Sequence, residues 1–199
     1  MGYTLHRKRN KQNKKGETIK KQTLFLWVNI IGGIAVLGGY AYALAINPET
    51  RNALWGGIPE SWKPLYTFSM FTSAIGYLYA TYYLVFKGGL DLQFFWGKYK
   101  ASLLTILISI FLISSSFWIH STFSYIDSPT QSQWLTIQIE LFITAIALIL
   151  FTIGLVSAKG VGKNLNHKLA IIGCLLITFH CLILDAIIWT SKFPKDHLP

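Results

Sequence analysis

Two carboxylates and an imidazole fall inside long apolar runs of this chain: Glu140, His180 and Asp185. No Lys or Arg shares those runs. A carboxylate in a low-dielectric setting without a cation beside it holds a proton or recruits a positive charge, so such residues are functional candidates by default. Two of them side by side would share a proton or bind a cation. Imidazole and carboxylate together also suit Zn, Fe or Mn, which makes Glu140, His180 and Asp185 a candidate metal set, with His120 at the edge of another apolar run as a fourth member. Geometry argues against the set. Five positions on an α-helix turn His180 and Asp185 about 140° apart. A haem held by two histidines would need a second His at mid-depth, and the sequence has none. No cofactor is therefore expected, with metal or haem the minor reading. The plain alternative is that each carboxylate is neutral and bonded to Thr136, Gln138, Thr144 or Thr178, that His180 bonds the backbone, and that Asp185 reaches for the membrane surface.

Other local patterns say less. The stretch carrying Trp55, Gly56, Gly57, Pro59 and Trp62 is dense in turn formers and aromatics, and reads as an ordered cap over one end of the molecule. Small residues recur every four positions at Ala35, Gly39 and Ala43, at Ser69 and Ser73, and at Gly76 and Ala80. That spacing lets helix backbones approach closely, and suggests a seam between the first two helices. Tyr77 and Tyr79 lie deep enough to need hydroxyl partners. The segment Lys159-Gly160-Val161-Gly162-Lys163-Asn164 lacks the spacing and the hydroxyl of a phosphate loop. No nucleophile-elbow or paired-His zinc motif is present, so catalytic residues stay unassigned.

The elements that must position these residues are apolar and long. Of 199 residues 52% are hydrophobic and 13% charged, about half the charge of a typical soluble domain. Five stretches, near 23–46, 64–86, 101–119, 133–156 and 169–189, are each long enough to span a bilayer as helix. The expected fold class is an all-α membrane protein, a bundle of five transmembrane helices. Residues 1–22 form a basic tail, 23–190 the transmembrane domain, and 191–199 a short outer tail. Antiparallel neighbours would set Glu140 and Asp185 at similar depths, roughly 8–11 Å inside one surface.

Charge supplies the orientation. Eight of 18 Lys and Arg lie in the first 21 residues, and the loops at 87–100 and 157–168 carry three each. The intervening side has only Arg51, Lys63, Lys192 and Lys195. The positive-inside rule then puts the N-terminus in the cytoplasm and the C-terminus outside, with a bacterial inner membrane as the expected site. The net charge of +10 reads as contact between the tail and anionic lipid head groups, and not as nucleic-acid binding. Trp27, Trp62, Trp96, Trp118, Trp134 and Trp189 fall near helix ends, as interfacial anchors do. The first run also resembles a secretory signal with Ala43-Leu44-Ala45 as a cleavage site, but it is longer than the usual apolar region of one. Cys174 and Cys181 are too far apart along one helix for a disulfide.

The leading expectation is a small multi-pass protein that binds a membrane partner, a second copy of itself or a lipid-like ligand. The alternative is a proton- or cation-coupled transporter, or a metal-dependent membrane enzyme, using Glu140, Asp185 and His180.

Overall fold

The computed structural model describes residues 16–162 and 164–194, with the first helix extending back to Gly2. Side chains before Gly16, Lys163 and most of the 191–199 tail lie outside the described residues, so the basic cluster at 7–15 is placed only as part of a helix. Helix α1 runs Gly2–Ile46, α2 Lys63–Phe86, α3 Ala101–Asp127 and α4 Gln131–Val156. Helix α5 is one 28-residue rod, Leu165–Lys192. It is α-helical over Leu165–Phe179, π-helical over His180–Trp189 and α-helical again over Thr190–Lys192. Among the described residues there is no strand, only two isolated bridges, Gln93 with Lys159 and Phe94 with Tyr99.

Four helices are long and apolar enough to cross a membrane: α1 from Gly16, α3, α4 and α5. α2, at 24 residues, is somewhat shorter, and its Tyr, Ser and Thr residues dilute its hydropathy. The basic segment expected as a separate tail is helical and continuous with α1. α3 also outruns its expected end near residue 119, because the Ser- and Thr-rich stretch after it stays helical to Asp127. Its hydroxyls return to the helix, as when Thr122 donates to the Trp118 carbonyl at 2.8 Å. Thr130 and Asn164 accept from backbone N–H groups of the first turns of α4 and α5, satisfying donors those helix starts leave open.

The helices close a ring in the order α1, α3, α4, α5, α2 and back to α1. One core fills its lower half, with Phe25, Tyr83, Leu84, Phe94, Leu104, Ile108, Leu148 and Leu155 almost wholly enclosed. A second gathers Tyr66, Tyr125, Trp134, Ile137, Leu184, Trp189 and Phe193 at the end that carries the 47–63 loop. The small-residue seam differs from expectation. α2 presents its small residues to α5, and α1 presents its own to α3. Gly76 lies so close to Gly173 that a Cβ on Gly76 would sit 2.6 Å from the Gly173 Cα. Gly32 meets Leu112, and Gly39 meets His120. The sequence neighbours α1 and α2 therefore pack mainly against other helices, α3 and α5, whereas α3 and α4 do pack against each other.

At the opposite end the loops at 87–100 and 157–164 join. Lys159 N donates to the Gln93 carbonyl at 2.8 Å and Trp96 N to the Ser157 carbonyl at 3.1 Å.

Candidate functional site

The α2–α5 contact is an antiparallel ladder with a polar or small-residue rung at nearly every turn. Tyr66 Oη donates to the Leu184 carbonyl at 3.0 Å and Ser73 Oγ to the Leu176 carbonyl at 3.1 Å. Gly76 faces Gly173, Tyr79 Oη donates to Asn166 at 2.8 Å, and Tyr83 Oη bonds His167 Nδ1 at 3.0 Å. Tyr77 bonds Asn29 of α1 instead. A further rung joins Ser69 to His180, where Oγ lies 3.0 Å from Nδ1.

That rung continues. His180 Nε2 is 3.6 Å from Asp185 Oδ2, an ion-pair distance slightly too long for a direct hydrogen bond. An α-helix would have turned the two residues apart. The π-helix hydrogen-bonds i to i+5 and so brings residues five apart onto one side. Side-chain hydroxyls occupy carbonyls along this wider stretch: Leu184 by Tyr66, and Ala186 by Thr190 at 2.6 Å. Borrowed carbonyls of this kind accompany local departures from the α ladder. The side chains of His180 and Asp185 keep 12% and 29% of their surface accessible, so the pair is recessed but not sealed. Tyr40 of α1, Tyr66 of α2 and Cys181 lie within electrostatic reach of Asp185.

The other carboxylate has its own partners. Glu140 Oε1 accepts from Ser121 Oγ at 2.8 Å, while the backbone carbonyl of Glu140 accepts from Ser114 Oγ at 2.7 Å. Its Oε2 is buried and has no hydrogen-bond partner among the described residues. Ser121 also lines a crevice of about 280 Å³ with His120, Ser124, Gln133 and Thr136. The hydroxyls expected to neutralise the carboxylates are engaged elsewhere: Thr144 with Ser115, Thr178 with Thr152 and Thr136 with the Ser132 carbonyl.

The structure therefore pairs His180 with Asp185 and leaves Glu140 and His120 to a second polar region between α3 and α4. No group of three or more His, Cys, Asp or Glu converges among the described residues. The arrangement of His180, Asp185 and Ser69 can hold and pass a proton, because a neutral imidazole has one donor and one acceptor nitrogen and can exchange them between two neighbours.

Aromatics wall this end. Trp189, on the π segment, donates Nε1–H to the Leu54 carbonyl at 2.8 Å and packs on Phe193 with ring centres 4.7 Å apart. Trp118 stacks on Tyr40 and meets Trp189 edge-on. Trp134 and Trp189 are buried, at 3% and 5% exposure, whereas Trp27, Trp62 and Trp96 are exposed. The six tryptophans are thus two populations, one facing outward and one, Trp118 included, packed inside. The 47–63 loop folds as two 3-10 turns, Arg51–Trp55 and Glu60–Trp62. Gly56 lies against the Phe193 ring and Gly57 against the Lys192 carbonyl, so this loop covers the end of α5. Trp55 meets Tyr66 edge-on.

Sequence reasoning missed Ser69 as a hydrogen-bonding member, along with Tyr40, Tyr66 and Ser121. A hydroxyl on a mid-helix Ser is indistinguishable by type from a packing residue, and only the partner helix reveals its role. Comparison with protein-family models, curated proteins and solved structures found no match for this chain.

Proposed function

We propose that this chain is an integral membrane protein of five crossings whose activity is coupled to protonation of the Ser69–His180–Asp185 group. The observation that carries the reading is the π-helical turn of α5, which sets His180 Nε2 3.6 Å from Asp185. π-Helical geometry is rare, and where it interrupts an α-helix it is frequent at functional sites. A carboxylate and an imidazole retained at membrane depth without Lys or Arg are expensive unless they exchange charge.

Support for α2 as the fifth crossing comes from its two faces. Its Tyr66, Ser69, Ser73, Tyr79 and Tyr83 polar groups are engaged with α5, while Leu65, Phe68, Phe71, Ile75 and Leu78 are exposed. Low hydropathy then reflects polar groups satisfied inside the bundle, and the outward surface remains apolar. Its 24 residues reach about 36 Å, enough for a hydrocarbon core of about 30 Å. With five crossings the basic loops fall on one side, the cytoplasm of a bacterial inner membrane, and the 47–63 cap and the Asp185 end fall outside.

The test is infrared difference spectroscopy on the reconstituted protein between about pH 8 and about pH 5, the range in which His chemistry operates. The expected result is a carboxylic-acid carbonyl band that titrates in the wild type, vanishes in Asp185→Asn and changes midpoint in His180→Gln. A spectrum unaltered by Asp185→Asn would end the proposal.

A second reading has its own support. Only 11% of the apolar window of α1 is buried, and Leu24, Trp27, Ile31, Ile34 and Leu37 line its outward side. That surface fits a lipid-like ligand, a membrane-protein partner or a second copy of the chain.

A further inference from the structure

We propose that the crevice between the outer ends of α3 and α4 binds a primary ammonium group. The argument rests on which hydrogen atoms are already committed. Ser121 spends its hydroxyl hydrogen on Glu140, and Thr136 spends its own on the Ser132 carbonyl at 3.0 Å. Gln133 directs Nε2 to the Ser124 hydroxyl and carbonyl, and its Oε1 accepts from Thr130 at 2.7 Å with one lone pair left over. What the walls still offer is mostly acceptors: the lone pairs of Ser121 and Thr136 and one on Gln133. Ser124 supplies the one uncommitted hydroxyl hydrogen among these lining groups.

Charge points the same way. No Lys or Arg lines the crevice. Glu140 does not line the crevice but stands one hydrogen bond behind Ser121, its second oxygen enclosed without a partner among the described residues, and a lone carboxylate there either holds a proton or draws in a positive charge. An orphaned acceptor at such a position costs free energy that a nearby cation offsets. The ligand is therefore a hydrogen-bond donor with positive charge. The volume of about 280 Å³ exceeds the space of one water, about 30 Å³, many times over. It fits a molecule of several heavy atoms better than a bare metal ion. An ammonium with three N–H donors meets the acceptors; a carboxylate or phosphate would meet the same lone pairs and be repelled. The ammonium could be carried by a soluble amine or by an ethanolamine lipid head group, and the chemistry recognised is the same.

The experiment uses the full chain in phosphatidylcholine nanodiscs with n-butylammonium as probe, followed by saturation-transfer NMR and calorimetry. n-Butanol and butyrate serve as neutral and anionic controls. Saturable binding of n-butylammonium is expected, with neither control binding. Loss of the charge behind Ser121 predicts about tenfold weaker binding in Glu140→Gln, and loss of one wall acceptor predicts a smaller loss in Thr136→Val. Asp185→Asn should bind as the wild type does, which separates this crevice from the α5 pair. If phosphatidylethanolamine in the disc displaces the probe, the natural donor is the lipid; if it does not, the donor is a soluble amine, and either result supports the site. Equal binding by n-butanol, unchanged binding in both Glu140→Gln and Thr136→Val, or no saturable binding would overturn it.

Discussion

The proposed function rests on three residue types at one point of the bundle: a hydroxyl, an imidazole and a carboxylate. Ser69 fixes which nitrogen of His180 faces Asp185, because the 3.0 Å contact uses Nδ1 and leaves Nε2 for the carboxylate. One net hydrogen bond is worth about 1 kcal/mol, and a pH unit about 1.4 kcal/mol. Ser69→Ala should therefore move the midpoint of the Asp185 infrared band by up to about one pH unit, and Ser69→Thr should restore it. An unchanged midpoint in Ser69→Ala would show that the hydroxyl only packs. Glu140, His180 and Asp185 were legible in the sequence because a charge inside an apolar run stands out by type alone. Their pairing was not. The sequence offered Glu140 and Asp185 as companions at equal depth, whereas Glu140 found Ser121 on α3 and Asp185 found His180 on its own helix. Depth restricts a residue to a plane, and several helices cut that plane.

At the scale of elements, the π-helical stretch changes which residues share a face. The sequence HCLILDAIIW has neither Pro nor Gly, so nothing in its composition announces a departure from the α-helix, and the 140° separation followed from α geometry alone. The small-residue stripes were legible and their partners were not. Spacing of four identifies a close-packing face, while the choice of neighbour depends on how the loops route the chain. This gives a paired prediction. A Cβ on Gly76 would press on the Gly173 backbone, and one on Gly173 on the Gly76 backbone. Gly76→Ala and Gly173→Ala should each destabilise the detergent-solubilised protein by about 1–3 kcal/mol, read as an earlier thermal transition. Their effects should not add, since both act on one contact. Gly33→Ala and Gly38→Ala point into open space, and should be neutral or stabilise by up to about 1 kcal/mol, as Ala does in a helix interior. Equal behaviour of the two pairs would contradict the α2–α5 seam.

For the whole molecule, the helical class and the apolar length of the chain were plain from composition, because few charges and runs of about 20 apolar residues leave little else. The number of crossings is where hydropathy and packing diverge. Four helices qualify by hydropathy, and the fifth, α2, carries the polar rungs that meet α5. With α2 in the membrane, the loops at 47–63 and 87–100 lie on opposite sides; with α2 lying outside it, they lie on the same side. Single cysteines at two exposed positions, Asn52→Cys and Lys98→Cys, in a background with Cys174 and Cys181 replaced, decide the matter with a membrane-impermeant maleimide. The five-crossing bundle predicts that position 52 reacts in intact cells and position 98 only after permeabilisation. Labelling of both positions in intact cells, or of neither until the membrane is opened, would contradict it.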